Sequence, residues 1–147
     1  MINYKIENQR FDYRPLNGLQ SQLDFLKEYG HHKGRLVGKV IAGVDTIDIG
    51  MGITGFQVMG DSVIIGPEWQ EVFVLESYRG KGLGKLLTEL AIEYASEISL
   101  QEGKRLTSAE ALTRPNNTPM RMILEQLGFT LDEKTSSEKV AHYLKSV

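Results

Sequence analysis

The chain has 147 residues, of which 41% are hydrophobic and 24% charged, a balance that is ordinary for a globular protein in water. Its net charge is −2, so a broad electrostatic attraction to nucleic acid is not expected. The absence of cysteine excludes disulfides, thiolate metal sites and cysteine nucleophiles. Because residues 1–14 lack the apolar core of a signal peptide and no run is long enough for a membrane span, we expect one cytoplasmic domain over residues 1–147.

The first half of the chain predicts mostly strands. Residues 2–7, INYKIE, alternate polar and apolar side chains as a half-buried strand does. Residues 15–30 predict one helix, because leucines recur there at helical spacing between a proline and a glycine. Residues 35–74 are β-rich, with the runs RLVGKVIAGV, ITGFQVM, VII and WQEVFVL separated by glycines and aspartates. His31 and His32 are expected in a loop and receive no role.

The second half alternates helices with strands. A long helix that ends at Gly103 carries an apolar stripe formed by Leu83, Leu87, Leu90, Tyr94 and Ile98. Residues 104–112 predict a buried strand. A second helix lies within residues 116–129, with Thr118 as its N-cap, a proline as its first residue and Gly128 as its stop. The runs FTLDE and KVAHYLKSV predict two closing strands, so the order of elements indicates an α+β fold.

Residues 77–87, SYRGKGLGKLL, place three glycines at every second position just before the long helix. Glycine costs roughly 0.5–1 kcal/mol relative to alanine inside an ordered element, so the cluster needs a physical reason. A helix start leaves backbone N–H groups without partners at the positive end of the helix dipole, which attracts phosphate. Three basic side chains add charge: Arg79, Lys81 and Lys85. The cluster therefore predicts a phosphate site, and the alternative is a tight turn with charged residues for solubility.

Two common phosphate motifs do not fit this spacing. The nucleotide motif GxxxxGK[ST], aligned on Gly84 and Lys85, needs a glycine at Arg79 and a hydroxyl residue at Leu86. The dinucleotide motif GxGxxG, started at Gly80, needs its last glycine where a lysine stands. What remains is Arg-Gly-x-Gly-x-Gly after a predicted strand.

This run resembles the pyrophosphate-binding signature of the GNAT superfamily of acyl-CoA-dependent N-acyltransferases, R/Q-x-x-G-x-G/A, which Arg79, Gly82 and Gly84 satisfy. A second run, TRPNNTPMRMILEQLGF, is similar to the family's late segment, in which an asparagine precedes a helix that a Gly-Phe pair ends. Here the asparagine is Asn117. The resemblance covers roughly residues 36–131.

The resemblance implies a mixed, mostly antiparallel sheet of about seven strands flanked by about four helices. Two central strands, ending near Val74 and Leu112, would splay apart to hold coenzyme A. Acetyl-CoA is then the implied co-substrate, with no metal, and Asn117 can equally be only a turn or cap residue. Backbone amides of Phe73 and Val74 would polarise the thioester, and those of residues 79–84 would hold the diphosphate. The implied cofactor-binding residues are Phe73, Val74, Arg79, Gly80, Lys81, Gly82, Leu83, Gly84, Lys85 and Asn117.

The reaction that the resemblance implies is direct attack of a primary amine on acetyl-CoA. Free alkyl amines have a pKa near 10, so a base or a water chain must first remove a proton. The candidate catalytic bases are Glu71, Glu68 and Glu110. Glu68 and Glu71 lie three residues apart in one predicted strand, so only one of them can face the cleft. Each of the three carboxylates can equally be a solvated or edge residue.

One position departs from the family pattern. Many relatives carry a tyrosine seven residues after the asparagine, which protonates the departing thiolate, and this position is Leu124 here. Water, Tyr78 or Tyr143 would replace it, and a thiol of pKa about 8.5 also leaves tolerably as thiolate. A catalytically weak or inactive CoA-binding sensor or interaction domain of the same fold therefore stays open, as does an unrelated phosphate binder.

The sequence does not specify the acceptor. In this superfamily the acceptor is set by the first helical region, here residues 15–33, and by the final strands. A cationic amine, an aminoglycoside, a polyamine and a peptide N-terminus all fit the modest acidity, so the acceptor is a small molecule or a peptide. We expect neither nucleic acid nor a membrane as a partner, and a homodimer is carried over only by analogy.

Overall fold

The structure is a computed structural model that describes residues 5–12, 22–43, 51–66, 72–80 and 82–147, with the backbone alone for 5–12 and 22–24. These residues form nine strands, two α-helices and a 3₁₀ turn at Glu76–Tyr78. The strands are β1 (Lys5–Asp12), β2 (Gln22–His32), β3 (Arg35–Ala42), β4 (Gly52–Met59), β5 (Ser62–Ile65), β6 (Phe73–Val74), β7 (Ser108–Thr113), β8 (Thr130–Leu131) and β9 (Ala141–Ser146). The helices are α1 (Leu83–Gln101) and α2 (Thr118–Gln126).

One mixed sheet contains all nine strands. Its order is β1-β2-β3-β4-β5-β7-β9-β8, and β6 lies off this path beside β4. Every neighbouring pair is antiparallel except β5 with β7, which is parallel and needs the long crossover that contains α1. The expected α+β class, with a mixed and mostly antiparallel sheet, is confirmed. The strand count exceeds the expected seven because two strands are only two residues long, and the described residues form two α-helices rather than four.

The sheet opens between β6 and β7. Strands β5 and β6 follow one another along the same edge of β4, with Ile65 opposite Phe56 and Phe73 opposite Ile53. Strand β7 pairs with β5 from Ser62 to Ile65, and in the described residues it has no ladder with β6. The two strands that were expected to splay, which end near Val74 and Leu112, therefore border this opening.

Helix α1 covers one face of the sheet. It packs on β3, β4 and β5, because apolar residues recur along one side of the helix. The stripe expected from the sequence is confirmed, since each of its members is at most 5% exposed: Leu83, Leu87, Leu90, Tyr94 and Ile98. The helix ends at Gln101, and Gly103 follows in a left-handed conformation. This packing fixes the start of α1 next to β6.

The prediction of a helix over residues 15–30 is wrong for residues 22–30, the part of this segment that the structure describes. Residues 22–32 form β2, which pairs with β3 from Phe25 opposite Ala42 onward. Phe25 and Lys27 are buried while the residues that follow each are half-buried, so the burial alternates with a period of two. Pairing with the adjacent strand outweighs the helical spacing of the leucines.

Both neighbouring histidines also belong to β2 and not to a loop. They are its last two residues, before the turn at Lys33, and His31 Nε2 lies 3.0 Å from Glu102 Oε1. Residues 13–21, the rest of the expected first helix, lie outside the described residues. Strand β1 overlaps the expected strand over 2–7 and continues to Asp12.

Three boundaries differ from the sequence expectation. The N-cap of α2 is Asn117 and not Thr118, because the Asn117 side chain accepts a hydrogen bond from Met120 N. Strand β7 starts at Ser108, four residues later than expected. Of the expected strand WQEVFVL, the structure describes residues 72–75, and Phe73–Val74 of these form β6. Gly128 does follow the end of α2, as expected.

Candidate active site

The glycine turn brings uncapped backbone N–H groups to the start of α1. Gly80 has φ +76° and Gly82 has φ +83°, a region that glycine enters without steric cost. Gly82 is the N-cap of α1, and no side chain caps the helix. The first helical hydrogen bond runs from Leu86 N to Gly82 O at 3.1 Å, so the N–H groups of residues 83–85 have no acceptor within the helix. A helix start of this kind is suited to bind an anion.

The third glycine has a packing role. A Cβ on Gly84 would lie 3.2 Å from Ile123 Cδ1 and 3.7 Å from side-chain atoms of Val72 and Val74. Helix α1 therefore approaches α2 and β6 as closely as a residue without a side chain allows. The sequence analysis assigned all three glycines to phosphate access, whereas the structure gives Gly84 this second reason.

Arg79 braces the glycine turn against β6. Its Nε donates a hydrogen bond to Val74 O at 2.8 Å, and its guanidinium lies 5.7 Å from the centre of the Phe73 ring. One of its five N–H donors is used in this contact, which leaves donors for an anion. Lys85 is half-buried in the first turn of α1, and Lys81 lies outside the described residues.

Strand β6 directs one backbone donor into the opening of the sheet. Leu75 N donates a hydrogen bond of 3.0 Å to the carbonyl oxygen of Met51, the residue directly before β4. Successive N–H groups of an antiparallel strand point to opposite sides, so Val74 N–H points away from β4. The Val74 carbonyl, on the same side, accepts the bond from Arg79. Of the two residues expected to polarise a thioester, Val74 has the suitable orientation.

Asn117 stands at the start of α2, which packs on α1 through Ile123 and Gly84. Its Oδ1 accepts a hydrogen bond from Met120 N at 3.2 Å, and this contact makes it a helix cap. The amide NH₂ of Asn117 is not used by the cap. A cofactor contact by this residue stays a prediction.

Of the candidate bases, the structure describes Glu110, whereas Glu68 and Glu71 lie outside the described residues. Glu110 Oε1 lies 2.9 Å from His142 Nε2, and the two side chains are only 27% and 15% exposed. His142 stands opposite Leu112 on β7, where the sheet begins to open. The sequence analysis missed His142, because it lies 32 residues from its partner and no local pattern joins them.

A chain of hydrogen bonds links this pair to the β8–β9 loop. Thr135 Oγ1 donates to Asp132 Oδ2 at 2.7 Å and contacts His142 Nδ1. Thr135 therefore connects Asp132 to His142, and His142 connects Thr135 to Glu110. The Thr135 bond is also the main cause that lowers the pKa of Asp132.

The expected substitutes for a tyrosine acid differ in their surroundings. Leu124 is fully buried in the core, as an ordinary apolar helix face predicts. Tyr143 is also fully buried, and its hydroxyl accepts a bond from Arg121 Nε at 2.8 Å, which raises the pKa of Arg121 above its ordinary value. Tyr78 ends the 3₁₀ turn before α1 and is half-buried. Of the two tyrosines, Tyr78 is the less buried, and a role for either as an acid stays a prediction.

Comparison with known proteins agrees with this geometry. The family model described as acetyltransferase (GNAT) domain matches residues 31–131, which is more than half of the chain. The chain belongs to the GNAT family. A search of curated protein sequences gives no match. The GNAT fold supports acetyl transfer in general.

Solved structures of GNAT proteins share the fold at low sequence identity. The PaiA N-acetyltransferase from Thermoplasma acidophilum, in complex with coenzyme A, has a TM-score of 0.55 and 13% identity, over 76% of this chain and 61% of that one. NAA60 from Arabidopsis thaliana, in complex with a bisubstrate analogue, has a TM-score of 0.56 and 13% sequence identity over 75% of each chain. An acetyltransferase from Bacillus subtilis, in complex with CoA, has a TM-score of 0.55 and 16% sequence identity over 77% of each chain.

The described part of this GNAT chain holds no group of three or more histidine, aspartate or glutamate side chains placed to bind a metal. None of its helices is both long and apolar enough to cross a membrane.

Proposed function

We propose that this protein is an N-acetyltransferase that moves the acetyl group of acetyl-CoA to a primary amine by direct attack. The observation that carries the proposal is the uncapped start of α1, which lies beside β6 at the opening of the sheet. We take residues 1–147 as one catalytic domain. The cytoplasmic location and a homodimer stay predictions from the sequence.

The residues at the start of α1 fit a diphosphate. The N–H groups of residues 83–85 and the positive end of the α1 dipole would hold phosphate oxygens, and Arg79 and Lys85 add positive charge. Among the residues that the structure describes, no atom lies within 4 Å of a Cβ built on Gly80, so these residues do not fill the turn. This combination supports coenzyme A as the group that carries the acetyl.

Val74 and Glu110 would serve the reacting atoms. Acetyl-CoA supplies a thioester whose carbonyl carbon an amine can attack, and Val74 N–H is the donor suited to its oxygen. Glu110 Oε1 is held by His142, whereas Oε2 makes no hydrogen bond in the described residues. The amine nitrogen forms the new bond, its proton passes to Glu110, and the sulfur leaves with the electron pair of the broken C–S bond. Glu68 and Glu71 stay alternative bases.

Binding of acetyl-CoA is the first test, read as a thermal shift of the protein. A ligand at about 100 times its Kd stabilises the native state by about 2.7 kcal/mol, which corresponds to several degrees in Tm for a chain of this size. We expect such a shift with acetyl-CoA and with coenzyme A, and none with adenosine. The proposal would be contradicted if neither acetyl-CoA nor coenzyme A shifted the Tm.

Release of free thiol across a panel of amines is the second test. We expect release to depend on the amine, because the fold supports transfer and Glu110 Oε2 makes no hydrogen bond with the described residues. Binding without release on any amine would instead favour the sensor or interaction domain. The feature that favours this second hypothesis is Leu124, a buried apolar residue at the position where many relatives carry a tyrosine.

A further inference from the structure

A basic cavity lies on the face of the sheet opposite α1. Its volume is about 770 Å³, and its floor includes Val37 of β3 and Ile64 of β5. Five basic side chains line it and no aspartate or glutamate does, within the part of the chain that the structure describes. The five are His32, Lys33, Arg35, Arg114 and Lys139.

These cations come from three separate segments of a chain whose net charge is −2. Arg35 begins β3, Arg114 follows β7, and Lys139 precedes β9. Lys39, which also lies on β3, has a partner in Glu28, with Nζ 3.4 Å from Oε2. By contrast, the side chains of Lys33, Arg35, Arg114 and Lys139 make no hydrogen bond or ion pair with the described residues. Like charges that converge on a concave surface attract an anion more strongly than scattered surface lysines do.

The cavity extends to the opening of the sheet. Gly66 and Leu112 line it, and a Cβ on Gly66 would lie 2.6 Å from Leu112 O, so these two residues close the paired part of β5 and β7. Along β4, Ile65 and Phe73 stand opposite residues that are three positions apart, which is about 10 Å. The cavity therefore includes the residues at which the pairing of β5 with β7 ends, next to the opening.

An acidic residue, Glu110, neighbours a residue that lines this cavity. Glu110 is directly opposite Ile64 in the parallel pair, so the two side chains share a face of the sheet, and Ile64 lines the cavity. A cationic amine is attracted by the carboxylate, and an anion is attracted by Arg35, Arg114 and Lys139. The two charges are thus arranged for a ligand that carries both.

We infer that the acceptor of this enzyme is an amine that also carries an anionic group, a carboxylate or a phosphate, which binds in the basic cavity while the amine lies towards Glu110. This inference rests on the proposed function for the reaction itself. The anion contact is a separate property of the cavity and is measured without acetyl-CoA.

The experiment compares matched amines that differ in the anion. Lysine is compared with 1,5-diaminopentane, which lacks the carboxylate, and glucosamine 6-phosphate with glucosamine. We expect the anionic member of at least one pair to bind at least 10-fold more tightly by calorimetry without acetyl-CoA, and the preference to weaken with added salt. The lysine pair identifies a carboxylate and the sugar pair a phosphate. Equal or weaker binding of both anionic members overturns the inference, whether or not transfer occurs.

A charge variant locates the anion contact. Arg114→Gln with Lys139→Gln removes two exposed cations, and Lys104→Gln removes an exposed lysine outside the cavity as the matched control. We expect the double variant to lose the preference for the anionic amine, with unchanged Tm and unchanged affinity for acetyl-CoA, and the control to keep all three properties. Lys33→Asn adds a third step, because asparagine tolerates the φ of +52° at this turn. A preference that survives in the double variant and in Lys33→Asn overturns the placement in this cavity.

Discussion

The start of α1 and the basic cavity both suit an anion, but they present different donors to it. The glycine turn offers backbone N–H groups fixed by the helix, whereas the cavity offers side chains from three segments. Backbone donors are retained in every substitution except one to proline, because they belong to the main chain. Side-chain donors can change one at a time. We therefore expect the start of α1 to determine the binding of acetyl-CoA. We expect the basic cavity to determine which amine acceptor binds.

The largest expected effect comes from Gly82→Glu. A glutamate at the N-cap of α1 fills the turn and puts a negative charge where the diphosphate would bind, so affinity for coenzyme A should fall by more than 100-fold in calorimetry. Gly82→Asn is the control, because asparagine tolerates a φ of +83° better than most residues and adds no charge. Equal affinities of Gly82→Glu and Gly82→Asn would place the diphosphate elsewhere.

Glu110→Gln tests the other side of the opening. The change keeps the shape of the side chain and removes a proton acceptor, so kcat should fall by about 10²-fold or more while affinity for acetyl-CoA is unchanged. His142→Gln keeps a polar side chain near Glu110 and should lower kcat less than Glu110→Gln does. Wild-type turnover in Glu110→Gln would leave Glu68 or Glu71 as the base.

Gly84→Val separates packing from ligand binding at the α1 start. A valine would place its Cβ 3.2 Å from Ile123 and add two methyl groups against β6, and overpacking of this kind costs typically about 1–3 kcal/mol. We expect lower stability in urea unfolding. Gly84→Val with Ile123→Ala restores space and should recover part of the loss. Additive effects of the two substitutions would show that this contact is not tight.

The same comparison explains what could be predicted from the sequence. The glycine turn, α1 and its stripe are local patterns, in which neighbours in sequence are neighbours in space, and these were identified correctly. Strand β2 was mistaken for a helix, because its pairing with β3 is not visible in the spacing of its leucines. The contact of Glu110 with His142 joins two strands that are distant in sequence. Only the order of strands in the sheet brings them together.

The smallest expected effect concerns the loop that holds His142. Thr135→Val removes the hydroxyl that chiefly lowers the pKa of Asp132, whose other stabilising neighbours are Lys134 and His142. A carboxyl whose folded pKa lies below its unfolded value of about 3.9 adds stability above that pH and loses it as the pH falls through the folded value. The difference in unfolding free energy between wild type and Thr135→Val should therefore be larger at pH 6 than at pH 2. Urea unfolding at both pH values measures it, with Thr130→Val on exposed β8 as the control. A difference that stays constant with pH would mean that Thr135 acts on the loop by packing alone and not through the carboxylate of Asp132.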